Sequence, residues 1–496
     1  MQKRKVFRFF FARRMGMIYD VVIVGAGVIG GMLARELSRY DLSVCLLEKE
    51  NDVAMGATKA NSGIVHGGYD PVPGTLKAKL NSEGVELLFQ AAKELNVSVK
   101  RNGSMVCAFG TEAEHALLDE LYEQGQKNHI PDLKIISGDE ARVLEPNLSP
   151  AVSRVLHVPN AGIVCPYNLA IAAVGNAMDN GVQLRRNFTV VNIRKEDVFT
   201  VTGANGERVQ GRFLVNCAGG YSDKIAEMAG DGCFKIVPRA GEYMLLDKAE
   251  GGMVHHTLFQ CPTAEGKGIL VSPTVHGNLL VGPTAVKVET PDSKDTTPTG
   301  LATVEKLSAK SVPSVNFRQV ITSFTGVRSS TADGEFVLKA SDVVPGLVHA
   351  GAIDSPGLTC CVSIAKYLVN ILKNEGLALA EKADWNPNRK NLHAFAQMDD
   401  AEKNAVIQVD PAYGKIVCRC EQISEGEILE AIRMNPPARD MDGVKRRTRS
   451  GMGRCQGGFC SPYVMELIAR ETGVPMEQVT KNGGDSVMVI GRIGEV

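Results

Sequence analysis

The sequence lacks an excess of charge of either sign, because 55 lysine and arginine residues stand against 56 aspartate and glutamate residues. The resulting formal net charge of -1 gives the chain no overall attraction to nucleic acid or to an acidic membrane surface. The sequence also lacks an apolar run long enough to cross a bilayer, which needs about 20 residues. These absences favour a globular protein without a transmembrane segment, and 496 residues are enough for two or three domains.

Cysteine is too sparse for a disulfide scaffold, with 12 residues in the whole chain and no secretory signal at its start. Eight of them lie mostly in apolar runs, where cysteine behaves as a small buried hydrophobic side chain. These eight are Cys45, Cys107, Cys165, Cys217, Cys233, Cys261, Cys360 and Cys361. The last four stand in close pairs, at the short spacings that metal ligands use. This distribution predicts a reducing, cytoplasmic environment and a bound cofactor rather than disulfide bonds.

Residues 1–17 form a basic N-terminal extension, with six basic residues before Met15. Its apolar stretch is far too short to span a membrane, although a basic segment can anchor at a membrane surface. Met17 stands immediately before a predicted strand and makes a natural beginning for the fold. We therefore expect the extension to reflect an upstream start codon.

A glycine turn between a strand and a helix predicts a nucleotide-binding fold. Residues 21–24 are a continuous apolar run, as a buried parallel strand requires. Gly25, Gly27 and Gly30 follow with the spacing G-x-G-x-x-G, which permits a tight turn, close approach to a pyrophosphate and close helix packing. Glu48 ends the second strand, where a carboxylate can accept hydrogen bonds from ribose hydroxyls. The motif predicts a dinucleotide site and leaves FAD and NAD open.

The nucleotide fold is assembled from three separated segments. Residues 59–80 are a loop of small residues that leads into a helix, and residues 212–223 are an apolar strand that ends in glycines. Residues 346–368 then read as strand, glycine, acid and a helix opening near Gly357. Other material is inserted between these segments.

This arrangement, over roughly 18–385, resembles the D-amino-acid-oxidase-like family of FAD enzymes, which includes glycerol-3-phosphate dehydrogenases and oxidases. The resemblance implies an α/β protein in which a Rossmann-like FAD-binding domain carries an inserted mixed or antiparallel β-sheet substrate domain, mainly at 231–330. It also implies that the first segment binds the ADP part of FAD and that the third approaches the flavin. The implied FAD-binding residues are Gly25, Ala26, Gly27, Gly30, Glu48, Thr58, Asn61, Ser62, Gly63, Val190, Ala218, Gly219, Gly351, Asp354, Gly357, Leu358 and Thr359.

His66, in the stretch NSGIVHGG, is the best candidate for a catalytic base. Imidazole titrates near neutral pH, and the neighbouring glycines allow close packing against a flat ring. A histidine that only hydrogen-bonds the loop backbone fits the residues alone at least as well. The resemblance favours the base, since this loop runs along the flavin in the family and its histidine is catalytic in glycerol-3-phosphate oxidases.

Two cations are candidates for binding an anionic substrate. Arg328 follows an apolar strand and a glycine, and Lys267 precedes another apolar strand. An arginine fork matches a phosphate or carboxylate, and a lysine adds a point charge, although either residue can be an ordinary solvated loop charge. The resemblance implies that both hold the substrate phosphate, together with the hydroxyls of Ser62 and Ser355.

Cys418-x-Cys420 and, 34 residues later, Cys455-x4-Cys460 form a closed set of four thiols. Four cysteines serve either zinc or an iron–sulfur cluster. Zinc sites more often use C-x2-C pairs, and the spacing here resembles the bacterioferritin-associated-ferredoxin-like [2Fe–2S] module. That module also brings basic residues near the cluster, which match Lys445, Arg446, Arg447 and Arg449.

The resemblance to the two families divides the chain. An FAD-dependent oxidoreductase domain at 18–385 is followed by a polar linker at 386–412. A small helical [2Fe–2S] domain is expected at 413–480, and 481–496 form a C-terminal tail.

Three functional hypotheses fit this organisation. The first is an FAD- and [2Fe–2S]-dependent dehydrogenase of a small anionic secondary alcohol, resembling glycerol-3-phosphate dehydrogenase and passing its electrons to an acceptor other than O2. The second is oxidation of a 2-hydroxyacid, as in L-2-hydroxyglutarate dehydrogenases. The third is an electron-transfer subunit whose flavin serves a partner flavoprotein. In each case the basic run beside the cluster can dock an acidic electron carrier or a partner subunit.

Overall fold

The computed structural model describes residues 17–262, 268–390, 392 and 394–491. The basic extension up to residue 16 and the predicted substrate ligand Lys267 therefore lie outside the described residues. The strands are β1 (Ile18–Val24), β2 (Val44–Leu47), β3 (Ile64–Val65), β4 (Val99–Lys100), β5 (Ser104–Ala108), β6 (Lys134–Ser137), β7 (Arg154–Val158), β8 (Gly162–Val164), β9 (Gln183–Arg185), β10 (Val190–Lys195), β11 (Phe199–Gly203), β12 (Arg208–Asn216), β13 (Val237–Leu246), β14 (Thr257–Gln260), β15 (Leu270–Pro273), β16 (Leu279–Gly282), β17 (Val286–Lys287), β18 (Val320–Ser330), β19 (Val337–Ala340), β20 (Leu347–Gly351), β21 (Ile416–Cys418) and β22 (Ile423–Ser424).

The helices alternate with these strands in the first half of the chain and dominate its C-terminal end. They are α1 (Val28–Leu37), α2 (Leu76–Glu94), α3 (Glu112–Lys127), α4 (Gly138–Leu144), α5 (Pro166–Asp179), α6 (Ser222–Met228), α7 (Pro298–Ser308), α8 (Cys361–Asn374), α9 (Asp400–Val409), α10 (Glu425–Arg433), α11 (Met441–Thr448) and α12 (Ser461–Thr472). Among the described residues, no helix is both long enough and apolar enough to cross a membrane.

The first sheet is the nucleotide-binding sheet that the glycine turn predicts. Its strand order is β10-β11-β12-β1-β2-β9, with β20 pairing beside β12 and β19 beside β20. The central pairs β1–β2, β1–β12 and β12–β20 are parallel, so the ends of these strands meet at one edge. Parallel strands need cover on both faces, which explains why every residue of β2 is buried. Helices α1, α5 and α8 pack together against one face of the sheet.

The second sheet confirms the predicted mixed substrate sheet. Its order is β17-β13-β16-β15-β14-β5-β7-β6, and β18 pairs along the other side of β13. The pair β14–β5 is parallel, whereas the remaining pairs are antiparallel. Strands β5, β6 and β7 come from 104–158, outside the interval 231–330 to which the sequence assigns most of this sheet.

The C-terminal module is small and mainly helical, as predicted. Helices α10, α11 and α12 enclose a core of their own, which includes Ile428, Val444 and Leu467. The short hairpin β21–β22 closes one side. Helix α9 lies in the preceding linker and begins with a capping box formed by Asp399 and Glu402.

Candidate active site and cluster centre

The glycine turn after β1 forms a cradle without side chains. Gly25 has a φ of +106°, a left-handed conformation that glycine adopts at no steric cost. A Cβ atom at Gly30 would lie 1.9 Å from the carbonyl oxygen of Gly25, so only glycine allows α1 to pack this close to the turn. A Cβ atom at Gly25 would lie 2.4 Å from the carbonyl oxygen of Cys217. The predicted cofactor residues Ala218 and Gly219, which follow Cys217, therefore lie beside the turn.

The Glu48 carboxylate lies buried next to this turn. Its two oxygens accept hydrogen bonds from the backbone N–H groups of Ala26, at 2.9 Å, and Glu50, at 3.0 Å. Burial raises the pKa of Glu48, and these two N–H groups oppose the rise. The backbone N–H of Phe188 donates to the carbonyl oxygen of Glu48, so Val190 begins its strand two residues from this corner. A carboxylate in this position fits the ribose of FAD, and the adjacent glycine turn at the helix N-terminus fits its pyrophosphate.

The loop after the cradle is fixed by its own polar side chains. Thr58 Oγ1 accepts a hydrogen bond from the Val28 N–H at the start of α1, at 3.0 Å. The Asn61 amide donates to the carbonyl oxygen of Thr58 at 2.8 Å, and its own oxygen accepts from the Gly63 N–H at 2.8 Å. The predicted cofactor residues Thr58, Asn61 and Gly63 therefore form one hydrogen-bonded unit with the helix N-terminus.

His66 is buried and connects the first segment of the nucleotide fold to the third. Its N–H donates to Thr359 Oγ1 at 2.8 Å, and its carbonyl oxygen accepts from the Asn81 amide at 2.9 Å. Its Nε2 lies 3.2 Å from Ser355 Oγ, within hydrogen-bond distance. The structure thus brings His66 to Ser355 and Thr359, which stand about 290 positions later in the sequence.

The third segment differs from its predicted form at the start of its helix. Helix α8 begins at Cys361, because the turn at 355–360 separates it from Gly357, where the sequence predicts its opening. Asp354 is already bound by protein groups, since Ser330 Oγ donates to one oxygen at 2.8 Å and Lys77 Nζ lies 3.1 Å from the other.

Two other predicted cofactor residues of this segment have packing roles. A Cβ atom at Gly351 would lie 2.6 Å from the ring of Phe234, so this glycine makes room for a phenylalanine. Leu358 packs against the main core of the nucleotide domain. Their contact with FAD, like that of Val190, Ala218, Gly219, Asp354 and Gly357, stays a prediction.

One face of the second sheet covers the loop that contains His66. Tyr243 Oη lies 3.1 Å from Ser62 Oγ, and the Tyr243 ring stacks on Phe324 with centroids 4.8 Å apart. A Cβ atom at Gly326 would lie 1.8 Å from the carbonyl oxygen of Ala60, so β18 touches the loop backbone. Arg328 follows two residues later on the same face. Tyr243 is a site residue that the sequence did not reveal, because only strand pairing brings it to Ser62.

The four predicted cluster ligands form two pairs of thiols. The sulfur atoms of Cys420 and Cys455 lie 3.6 Å apart, and Cys418 and Cys460 are hydrogen-bonded to each other. That hydrogen bond is the main reason why the pKa of Cys418 falls to about 6.

The spacing of the sulfur atoms fits a two-iron cluster better than a single zinc ion. Two thiolates on one tetrahedral metal with bonds of about 2.3 Å are about 3.8 Å apart, so a zinc ion needs all four sulfurs at this separation. Among the described residues, no three of these sulfurs lie within 4.8 Å of one another. Two close pairs that are separated from each other fit the two irons of a [2Fe–2S] cluster.

Two arginines of the basic run face the nucleotide domain. Arg447 forms a bidentate pair with Asp52, with both distances 2.8 Å, and Arg446 Nη2 lies 2.7 Å from the same carboxylate. All three side chains are buried, so burial would raise the pKa of Asp52, but the two guanidinium groups lower it well below its usual range. The predicted docking of an acidic partner on Arg446 and Arg447 is therefore wrong.

A second junction joins the module to the substrate sheet. Arg449 donates to the Glu421 carboxylate at 2.8 Å and to the side-chain oxygen of Asn278 at 3.2 Å. Lys248 donates to the same oxygen of Glu421 at 3.0 Å. Glu421 directly follows the ligand Cys420, so these contacts position the cluster loop against the oxidoreductase domain.

Comparison with known proteins identifies both parts of the chain. Residues 20–371 match the family DAO, described as FAD dependent oxidoreductase, and residues 416–470 match the family Fer2_BFD, described as BFD-like [2Fe-2S] binding domain. The chain is 44% identical to a glycerol 3-phosphate dehydrogenase of Caloramator mitchellensis, over 96% of this chain and 98% of that protein. It is 34% identical to a glycerol 3-phosphate oxidase of Mycoplasma genitalium, over 74% of this chain and 97% of that protein.

A solved structure supports the same assignment. The dithionite-reduced L-alpha-glycerophosphate oxidase of Mycoplasma pneumoniae with FAD bound matches 75% of this chain and 98% of its own chain, with 32% identity and a TM-score of 0.72. The fold, the cradle, the paired thiols and these matches agree with one another. The chain belongs to the DAO family of FAD-dependent oxidoreductases and carries a BFD-like [2Fe–2S] domain at its C-terminal end.

Proposed function

We propose that this enzyme oxidises glycerol 3-phosphate to dihydroxyacetone phosphate and passes the electrons through its [2Fe–2S] cluster to an acceptor other than O2. The observation that carries the proposal is the position of Arg328. It lies on the sheet face that covers the His66 loop, and no carboxylate among the described residues pairs with it. The similarity to proteins named for glycerol 3-phosphate, over nearly the whole chain in one case, supports the same substrate.

The arrangement suits removal of a proton and a hydride from a secondary alcohol. FAD, when bound, supplies the two-electron acceptor, and the cluster supplies a one-electron outlet. His66 Nε2 takes the hydroxyl proton as the C–H bond is broken, and Ser355 Oγ, 3.2 Å away, orients the imidazole or the substrate hydroxyl. The buried backbone bonds of His66 fix the ring in the loop, so little motion is needed before proton transfer.

Arg328 provides the affinity for the phosphate group. A phosphate monoester carries nearly two negative charges at neutral pH, and the guanidinium fork binds two of its oxygens at once. Ser62 is held in the same region by Tyr243. Lys267, which lies outside the described residues, stays a predicted second cation.

The contacts between the two modules support an electron route within the chain. Tyr167 Oη lies 3.5 Å from Met452 Sδ, three residues before the cluster ligand Cys455. Tyr167 stands at the first turn of α5, and Val164, just before that helix, donates its N–H to the carbonyl oxygen of Gly63 at 2.8 Å. The segment 164–167 therefore contacts both the loop that contains Gly63 and the cluster loop.

Anaerobic flavin reduction with three compounds tests the substrate. We expect glycerol 3-phosphate to bleach the flavin, and free glycerol and L-2-hydroxyglutarate to leave it oxidised. Arg328→Lys should raise the concentration of glycerol 3-phosphate needed for half-maximal reduction by about tenfold or more, because a point charge does not replace the bidentate fork. Arg318→Gln, an exposed position on the same part of the chain, is the control and should have no effect.

The outcomes separate the alternatives. Bleaching by L-2-hydroxyglutarate and not by glycerol 3-phosphate would assign the enzyme to 2-hydroxyacids. A flavin that no hydroxy compound reduces would favour an electron-transfer subunit that serves a partner.

A further inference from the structure

Three cations lie in a row across three neighbouring strands of the substrate sheet. Arg239 on β13 is directly opposite Arg328 on β18, and on its other side it is directly opposite Lys287 on β17. Both pairings are antiparallel, so the three side chains project from the same face of the sheet. Neighbouring strands are about 4.8 Å apart, so the row spans roughly 10 Å.

No carboxylate in the described part of the chain pairs with this row. Among the described residues, none of the three cations forms an ion pair or a side-chain hydrogen bond, and the Nε atom of Arg239 is buried without a partner. Like charges placed directly opposite each other destabilise a sheet. A buried guanidinium nitrogen without a partner adds a further cost. An anion that shares the row would relieve both costs.

The row belongs to the face that covers the His66 loop. Alternation along β13 puts Arg239, Gly241 and Tyr243 on one side, and Tyr243 contacts Ser62. The Nη1 atom of Arg328 lies 3.4 Å from the position that a Cβ atom of Gly241 would occupy, so the guanidinium lies over β13 beside Gly241, on the face that also carries Arg239.

The far end of β18 reaches the same site. Ser330, two residues beyond Arg328 on this face, binds Asp354, which directly precedes the His66 partner Ser355. The two arginines are half-buried, whereas Lys287 is exposed. The row therefore extends from the exposed Lys287 to β18, the strand that contacts the loop containing His66.

We propose that Arg239 is a second phosphate ligand, which shares the substrate phosphate with Arg328, and that Lys287 attracts the dianion at the entrance. This assignment rests on the proposed function and extends it, because it names binding residues that the chain's sequence patterns did not indicate. The guanidinium groups of Arg239 and Arg328 bind a phosphate, which carries nearly two charges, more tightly than they bind a single carboxylate, which carries one charge. The row thereby selects phosphate esters over hydroxyacids that carry one carboxylate.

The proposal predicts a defect in binding and not in the chemical step. We expect Arg239→Gln to raise the half-saturating concentration of glycerol 3-phosphate about 10- to 100-fold, the usual range for losing a charged hydrogen bond. The limiting rate of flavin reduction and the FAD content should stay within about twofold. Lys287→Gln should raise the half-saturating concentration only a few-fold and weaken its dependence on salt, as expected for a steering charge.

The measurement is anaerobic stopped-flow reduction of the flavin in the full-length protein, with Arg239→Lys and Arg318→Gln as comparison variants. Arg239→Lys should restore part of the affinity, and Arg318→Gln should match the unaltered enzyme. An unchanged half-saturating concentration in Arg239→Gln would overturn the proposal. Loss of FAD or of the limiting rate without any loss of affinity would also overturn it, since that pattern indicates a structural role.

A second measurement does not depend on turnover. Inorganic phosphate should perturb the absorbance of the oxidised, flavin-loaded enzyme in a saturable manner, and Arg239→Gln should weaken this binding at least tenfold. Failure of glycerol 3-phosphate to reduce the flavin would contradict the proposed function, while this titration would still test whether Arg239 binds phosphate. Equal phosphate binding by Arg239→Gln and the unaltered enzyme would contradict the assignment of Arg239 and leave the proposed function standing.

Discussion

At the scale of single residues, His66 is held in place by hydrogen bonds of its backbone N–H and carbonyl groups. The Thr359 hydroxyl accepts its N–H and the Asn81 amide binds its carbonyl oxygen, so the loop holds the imidazole without depending on the ring itself. The ring atom Nε2 lies 3.2 Å from the hydroxyl oxygen of Ser355. A substitution of the ring therefore removes chemistry while the loop geometry remains.

For His66→Asn we expect normal FAD content and flavin reduction by substrate that is slower by at least about 100-fold, the usual scale of losing a general base. The rate is measured by anaerobic stopped flow. His129→Asn is a matched control, because His129 is exposed and adopts a positive φ that asparagine tolerates. Fast reduction in His66→Asn would mean that another group takes the proton.

At the scale of secondary-structure elements, α11 is locked onto the loop that follows Glu48. Asp52 is 2% exposed and Arg447 is 1% exposed, so their bidentate pair is removed from water. Removing one partner of such a pair leaves a buried charge uncompensated. The docking of the cluster module therefore depends on a carboxylate in the loop that follows Glu48.

Asp52→Asn should destabilise the protein by about 3–5 kcal/mol, as for other broken buried pairs. The pKa of Asp52 is lowered in the folded state, so its contribution is present above the unfolded value of about 3.9 and is lost as pH falls below it. Urea unfolding at neutral pH measures the loss. Asp119→Asn breaks an exposed pair with Arg154 and should cost less than about 1 kcal/mol. Similar losses in both variants would show that Asp52 is not the docking residue.

The elements also show where prediction from sequence ends. The turn of Gly25, Gly27 and Gly30 beside Glu48 could be predicted because its geometry depends on local spacing. Strands β5 to β7 could not be assigned to the substrate sheet, since their partner β14 lies about 150 residues later in the chain. The row that contains Arg239 was missed for the same reason, because the register of three strands creates it and no local pattern does.

At the scale of the whole molecule, the chain combines two separately folded units, each with its own core. The cluster thiols belong to the small unit, and the glycine cradle belongs to the large one. The four cysteines were predictable because ligand spacing is local. The pairing of Arg447 with Asp52 was not predictable, because the two residues are 395 positions apart in the sequence.

Cys418→Ser should lose the cluster and keep FAD, since the cradle does not involve the small unit. The purified enzyme should contain about two irons with acid-labile sulfide, and the variant should contain neither. Cys233→Ser, which changes an exposed cysteine outside the cluster, is the control and should keep both cofactors. Zinc in place of iron in anaerobically prepared protein would contradict the cluster assignment.

The central claim is that substrate electrons enter at the flavin and leave through the cluster of the same chain. The most direct measurement mixes the full-length enzyme with glycerol 3-phosphate in the absence of oxygen and follows flavin absorbance together with the EPR signal of the reduced cluster. We expect the flavin to bleach and the cluster signal to appear with it, whereas Cys418→Ser should bleach without the signal. A flavin that stays oxidised, or a bleached flavin beside a cluster that never becomes reduced, would contradict the account.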